Sequence, residues 1–240
     1  MAEEYSFPPY IEKMKEALKA FNGEVMDTYK GHDITPLWDL KGEGLSSSFK
    51  YLYKATKLEK IVFSMRNFRD KLMSYGTAIW SDDEHALPTF SAYWAESAKG
   101  SMFIVDFYPL ADCICDIPYM EHYLEPLEDI YSKGMQYFPG HSGRSVNWFR
   151  ALTSPYCLMG EVAPSTKDTQ DKIIELIFEY LRIYTELWKK DEPKPREYMK
   201  ALNARKEAIR TNYREKDPGG GMMVHSVGKE LAEISLVCTF

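Results

Sequence analysis

Three apolar runs follow one another with only short polar turns between them, and this spacing limits the fold more than any other feature of the chain. The runs are Tyr75 to Trp80, Leu87 to Ala95 and Ser101 to Tyr108. A charged turn at Ser81 to Glu84 separates the first two, and Lys99-Gly100 separates the second from the third. Strands joined this tightly pair antiparallel, so the centre of the chain reads as a meander. Ser101 to Tyr108 is the clearest strand. Phe49 to Met65 alternates apolar and polar residues in part and reads as further strand.

Helical patterns flank these strands. Residues 9–21 place Ile11, Met14, Leu18 and Phe21 on one face, with Pro9 at the start. Ile117 to Met135 is helical in pattern and ends at Phe138-Pro139-Gly140. Lys167 to Lys190 is the strongest helix, with an apolar stripe of Ile173, Ile174, Ile177, Leu181, Tyr184 and Trp188. Pro195 to Lys216 is a second, more charged helix. It stops at Asp217-Pro218-Gly219, and a short amphipathic segment follows. Gly23 to Ser48 is rich in loop residues, and Leu152 to Val162 is a short apolar element. Consecutive strands with helices before and after them favour an antiparallel sheet with helices on its faces. The 240 residues are read as a single domain, 1–240.

Composition narrows the function classes. The net charge of −6 argues against a general nucleic-acid binder. No apolar run approaches the roughly 18–20 residues of a membrane span. The start, Met-Ala-Glu-Glu-Tyr, lacks the basic and apolar regions of a secretion signal. A cytoplasmic location is expected, or the plastid stroma if a transit peptide has been removed. Cys113 and Cys115 form a Cys-x-Cys pair with no evident partners for a metal, so all four cysteines are expected as reduced, buried or half-buried thiols. The 17 Tyr, 12 Phe, 5 Trp and 12 Met suit a large flat apolar ligand or a densely filled core.

The familiar cofactor and nucleophile motifs are missing. There is no Gly-x-Gly-x-x-Gly between strand and helix, no phosphate-binding Gly-Lys-Ser/Thr loop and no His-Glu-x-x-His. Gly140-His141-Ser142-Gly143 has the wrong spacing for a nucleophile elbow. An enzyme built this way would rely on substrate chemistry, placed acids and an outside electron source.

Several blocks in consistent order resemble the ferredoxin-dependent bilin reductases. They are Lys54 to Ile61, Leu87-Pro88-Thr89-Phe90-Ser91-Ala92, Ile104-Val105-Asp106-Phe107-Tyr108-Pro109, Phe138-Pro139-Gly140, Ser154-Pro155-Tyr156-Cys157-Leu158, the Asp217 loop and Gly228-Lys229-Glu230. The resemblance implies a three-layer α/β/α sandwich, a central antiparallel sheet with helices on both faces. The substrate would be a linear tetrapyrrole such as biliverdin, lying between the sheet and the C-terminal helices. Reduced ferredoxin would supply single electrons, with no bound cofactor and no metal. The product would be a phycobilin or phytochromobilin type.

The resemblance assigns Asp217 as the principal acid. A carboxyl beside an apolar pocket holds its proton at higher pH and can donate it near neutrality. The sheet positions depart from the family. Its sheet-borne acid falls on Tyr93, and two further polar positions fall on Gly76 and Ser64. Tyr93 would then donate a proton or a hydrogen bond, as a phenol with an ordinary pKa near 10 and so a weaker acid. Asp82, Asp83 and His85 would substitute only if their turn folds over the pocket. Phe90 and Ser154, within matched blocks, join Ser64 and Gly76 as substrate-binding candidates, and Arg144 and Arg150 are candidates for the propionates. Lys189 to Lys216 carries ten basic and five acidic residues, a surface suited to an acidic ferredoxin. Two other readings stand beside this one. Ser91-Ala92-Tyr93 resembles a stretch of red chlorophyll catabolite reductase, a related enzyme. The missing sheet carboxylates also fit a tetrapyrrole binder without catalysis.

Overall fold

A computed structural model of the chain describes residues 7–69, 71–139, 147–217 and 219–240. Among the described residues nine strands form: β1 (Glu24–Val25), β2 (Thr28–Tyr29), β3 (His32–Asp33), β4 (Ser46–Ala55), β5 (Leu58–Phe68), β6 (Leu72–Ser81), β7 (Thr89–Ser97), β8 (Gly100–Tyr108) and β9 (Leu158–Val162). The central sheet runs β1-β4-β5-β6-β7-β8-β9 with every neighbour antiparallel. The meander read from the sequence is its middle. Each strand there pairs with the next through a short turn, as the spacing requires. β2 and β3 form a separate small hairpin.

The stretch from Phe49 to Met65 is a hairpin of two long strands. Its turn lies at Thr56-Lys57, where Lys57 adopts a left-handed backbone. The alternation was weak in sequence because both faces of β5 are covered, and nearly every residue from Leu58 to Met65 is buried.

Helices cover both faces, as the α/β/α reading expects. One face carries α1 (Phe7–Leu18) and α5 (Lys167–Lys190). Tyr10 of α1 packs against Tyr75, Trp94 and Phe178. Tyr184 of α5 packs against Phe90 and Phe107. Each such buried aromatic contributes about 1.5–3 kcal/mol, so this layer is the main core. Thr166 opens α5 with a capping box shared with Thr169. At the other end the Lys57 ammonium donates to the carbonyls of Trp188, Lys189 and Asp191, where the helix dipole favours a cation.

The pattern from Ile117 to Met135 is two helices, α2 (Ile117–Tyr123) and α3 (Glu128–Tyr137). Pro126 interrupts them with a 3-10 turn because it has no N–H for the helical ladder. Helix α4 (Asn147–Arg150) is a single turn.

The opposite face carries α6 (Arg196–Lys216), α7 (Gly219–Val227) and α8 (Lys229–Thr239). The short C-terminal segment is therefore two helices, hinged at Gly228, whose φ of 82° suits glycine. Four donors from the sheet and α6 fasten α8. Lys50 donates to Ser235 O, Lys60 to Val237 O, Trp80 Nε1 to Thr239 O and Arg214 to Phe240 O. The carbonyls of Val237, Thr239 and Phe240 lie at and just beyond the C-terminal end of α8, where the helix supplies no partner, whereas Ser235 O also accepts from Thr239 Oγ1. Among the described residues no helix is long and apolar enough to cross a membrane. All four cysteines are free; Cys115 is exposed, where a covered thiol was expected.

Candidate active site

A cavity of about 400 Å³ opens between the sheet and helices α6 to α8. Its floor follows from strand register. Lys50, Ser64, Gly76, Tyr93, Ile104 and Met159 pair in one continuous row across six strands. Side chains in one such row share a face of the sheet. The register thus brings together Ser64, Gly76 and Tyr93, and all three line the cavity with Arg66 and Ile104. Gly76 has a steric role here. A Cβ at that position would sit 3.2 Å from Ser64 Oγ and raise the floor between Ser64 and Tyr93.

The roof is aromatic and comes from the C-terminal half. Tyr213 of α6 stacks on Phe240, with centroids 4.1 Å apart and planes 10° apart. Trp148 and Phe149 meet Tyr213 edge-on. The Tyr213 hydroxyl lies 2.6 Å from that of Tyr108, which donates to Ser91 Oγ at 3.0 Å. The result is a broad apolar slot with a few polar groups, the usual make-up of a site for a large flat ligand.

Asp217 stands at the rim of this slot, where α6 ends. Its N–H closes the helix on Tyr213 O at 2.9 Å, and its Oδ1 accepts from Gly219 N at 2.9 Å at the start of α7. The carboxylate therefore caps α7 while it faces the cavity. Tyr213, one helical turn earlier, lines the same wall.

Arg66 and Lys50, like Lys60, put buried charge on this side of the sheet, and sequence reasoning missed them. Arg66 lies two residues after Ser64 on the same face of β5 and lines the cavity. Its Nε is buried without a hydrogen-bond partner among the described residues. Burial pulls its pKa down, and the charges of Tyr93 and Asp217 act in the opposite sense. Lys50 is 1% exposed and donates to Ser235 O at 2.6 Å, Ser235 Oγ at 2.7 Å and Thr239 Oγ1 at 2.5 Å. Burial pushes its amine well below the usual lysine range. Burial pushes the Tyr93 phenol up, while the Ser74 hydrogen bond and the Arg66 charge hold it down. The parity of Arg66 with Ser64 was the available signal, but a strand arginine reads as solvent-facing until the register is known.

The other expected residues lie elsewhere. Phe90 is fully buried on the opposite face against Phe107 and Tyr184, not in the cavity. It is three residues from Tyr93, an odd interval, so the pleat turns it away. Ser154 does not line the cavity either. Its N–H and hydroxyl donate to buried Asp106 at 2.9 and 2.5 Å, tying the loop before β9 to β8. Arg150 is exposed and outside the lining, and Arg144 lies outside the described residues. Asp82, Asp83 and His85 stay in their turn. Asp82 Oδ1 meets His85 Nδ1 at 2.7 Å, and Asp83 pairs with Lys206 at 2.8 Å. They do not fold over the cavity. Among the described residues no cluster of three or more His, Cys, Asp or Glu is placed to hold a metal ion.

The basic stretch of α6 is also less free than its sequence suggests. Lys206 and Arg210 are buried and paired with Asp83, Glu59 and Glu207, while Arg205 and Arg214 donate to the carbonyls of Pro109 and Phe240. Lys190, Arg196 and Lys200 remain exposed.

Comparison with known proteins agrees with this architecture. The family model described as ferredoxin-dependent bilin reductase matches residues 40–236, most of the chain. The chain belongs to the ferredoxin-dependent bilin reductase family. A solved structure of phytochromobilin synthase from tomato, in complex with biliverdin, superposes with a TM-score of 0.77 at 18% identity, covering 95% of this chain and 80% of that one. That likeness shows the shared fold. No curated protein sequence gives a significant match.

Proposed function

We propose that this protein reduces a linear tetrapyrrole of the biliverdin type, taking electrons one at a time from reduced ferredoxin and protons from Asp217 and Tyr93. The observation that carries the reading is the slot itself, where one carboxylate at the rim and one phenol on the floor face an aromatic-walled space from opposite sides. Each double bond reduced takes up two electrons and two protons. A one-electron-reduced tetrapyrrole is more basic than its parent, so a proton is drawn to whichever carbon lies nearest a placed acid.

Asp217 would deliver from the helix side. Its Oδ1 accepts the Gly219 N–H, which fixes the carboxyl in the cavity wall. Tyr93 would deliver from the floor. Ser64 and Gly76 leave room beside it, so the ligand plane can approach the sheet. Tyr213, Phe240 and Trp148 would stack on and around the ligand and exclude water from it. The exposed Lys190, Arg196 and Lys200 offer a face to an acidic ferredoxin. The tomato phytochromobilin synthase complex, with biliverdin bound in the same fold, supports the choice of substrate class.

The test is anaerobic mixing with biliverdin, then addition of reduced ferredoxin. The expected result is stoichiometric binding with a perturbed bilin spectrum, followed by new product bands. Binding with an unchanged spectrum after reduction would mark a tetrapyrrole binder, the reading favoured by a sheet row of Ser64, Gly76 and Tyr93 without a carboxylate. No complex with biliverdin at all would contradict both.

A further inference from the structure

Tyr93 poses a chemical problem for the function proposed above. A phenol is a weak acid, and burial in an apolar slot makes it weaker by penalising the phenolate. Proton donation from such a group needs something nearby that stabilises the anion left behind. Arg66 is placed to do this. It stands on the same face of β5 as Ser64 and lines the same cavity as Tyr93. Its cross-strand partner is Ser74 on β6, and Gly76, two residues along, is the partner of Tyr93 on β7. Arg66 and Tyr93 are therefore offset by two residues on strands separated by β6. The absent side chain of Gly76 leaves the intervening space open to two long side chains. Ser74 fills the remaining corner and hydrogen-bonds the Tyr93 phenol. The buried Arg66 Nε, with no partner among the described residues, has a donor unspent.

We infer that Arg66 and Ser74 are positioning residues that make Tyr93 the sheet-side acid, by holding the phenolate that forms when its proton leaves. The step balances simply. Ferredoxin supplies the electron, the phenol O–H bond breaks and a C–H bond forms on the reduced tetrapyrrole. The phenolate stays paired with the guanidinium until water returns a proton. The cation takes the place of a sheet carboxylate by a different route: it stabilises the conjugate base of a neutral acid. Among the described residues the other titratable groups lining this space are Tyr213 from α6, Asp217 at its end and Tyr108 from β8, and Lys50 from β4 lies beside Ser64 in the same row. Asp217 opposes the phenolate, which is why a cation on the floor is needed. Lys50 is held toward its neutral form by burial and is already committed to Ser235 and Thr239.

The inference rests on the bilin-reductase reading but is tested separately from it. In the ligand-free protein, tyrosinate absorbance is titrated for wild type, Arg66→Gln, Tyr93→Phe and the double variant. The Tyr93 signal, taken as the difference made by Tyr93→Phe, should appear about one pH unit or more higher in Arg66→Gln. With biliverdin and reduced ferredoxin, Arg66→Gln should slow reduction roughly tenfold or more while bilin affinity stays within about threefold. Arg66→Lys should restore part of the rate. In the Tyr93→Phe background, Arg66→Gln should add nothing. An unmoved Tyr93 titration, or an equal slowing in both backgrounds, overturns the inference, because Arg66 would then act on the ligand or the fold. If Arg66→Gln does not fold, Ser74→Ala takes its place, with the same upward movement expected and its absence equally decisive. If biliverdin fails to bind, the functional reading falls while the titration still decides the coupling.

Discussion

Asp106→Asn should remove a pH dependence that one buried carboxyl builds into the stability of the protein. Asp106 is fully buried on β8 and accepts from Phe107 N at 2.8 Å, Ser154 N at 2.9 Å and Ser154 Oγ at 2.5 Å. Burial outweighs these bonds and pushes its pKa up to about 7. The folded protein then keeps a proton that the unfolded chain, with an ordinary carboxyl near 4, has lost. Between about pH 4 and about pH 7 the folded state binds more protons, so stability falls as pH rises through that window. The interval is about three pH units, and at about 1.4 kcal/mol each it amounts to about 4 kcal/mol. The asparagine keeps the shape but not the charge. Whichever way the amide is turned, its NH2 meets a backbone N–H, from Ser154 or Phe107, and one buried donor loses its acceptor. That costs about 1–3 kcal/mol at every pH. Denaturant unfolding of both proteins from about pH 4 to about pH 8 isolates the term, because other titrations cancel in the difference. Asp106→Asn should be the less stable protein at the acid end and should draw level with or overtake wild type at the alkaline end. A difference that stays flat with pH, or widens as pH rises, would refute the assignment of a raised pKa to Asp106.

Lys50→Ala removes three hydrogen bonds that fasten α8 to the sheet and leaves a small void, so stability should fall by about 2–4 kcal/mol, with the amides of 229–239 exchanging faster than those of β5 to β8; protection unchanged along α8 would contradict the fastening role. Gly76→Leu fills the gap between Ser64 and Tyr93 and should weaken biliverdin binding at least tenfold, read by absorbance titration; undiminished affinity would place the ligand off the sheet floor. Lys190→Glu combined with Lys200→Glu should raise the ferredoxin concentration needed for half-maximal rate and flatten its salt dependence, with bilin affinity unaltered; an unaltered ferredoxin requirement would move the docking face elsewhere.

The legibility of the chain was uneven for physical reasons. The meander from Tyr75 to Tyr108 and helix α5 were readable because short turns and a continuous apolar stripe are local signals. The split of α2 from α3 was written in Pro126 but masked by the periodicity on either side of it. The β4–β5 hairpin was blurred because β5 is covered on both faces, and Lys50, Lys60 and Arg66 imitate the polar half of an amphipathic strand while lying under the C-terminal helices. At the site, resemblance to the bilin reductases named Asp217, Tyr93, Gly76 and Ser64, and the register then set the last three side by side. Phe90 was misplaced because nearness in sequence says nothing of the face, which parity decides. Ser154 is committed to Asp106, a partner 48 residues away that no local pattern reveals. The roof is invisible from sequence for a similar reason: Trp148, Tyr213 and Phe240 meet only when α4, α6 and α8 close over the sheet.

On the proposed mechanism Asp217 is the helix-side proton donor to a bound bilin. Single-turnover reduction of bound biliverdin by reduced ferredoxin, compared between wild type and Asp217→Asn, tests it most directly. Asparagine still accepts the Gly219 N–H and so preserves the start of α7. Biliverdin affinity should be unaltered and product formation slower by roughly a hundredfold or more, with the one-electron-reduced bilin accumulating where its proton fails to arrive. Product formed by Asp217→Asn at the wild-type rate would contradict that role.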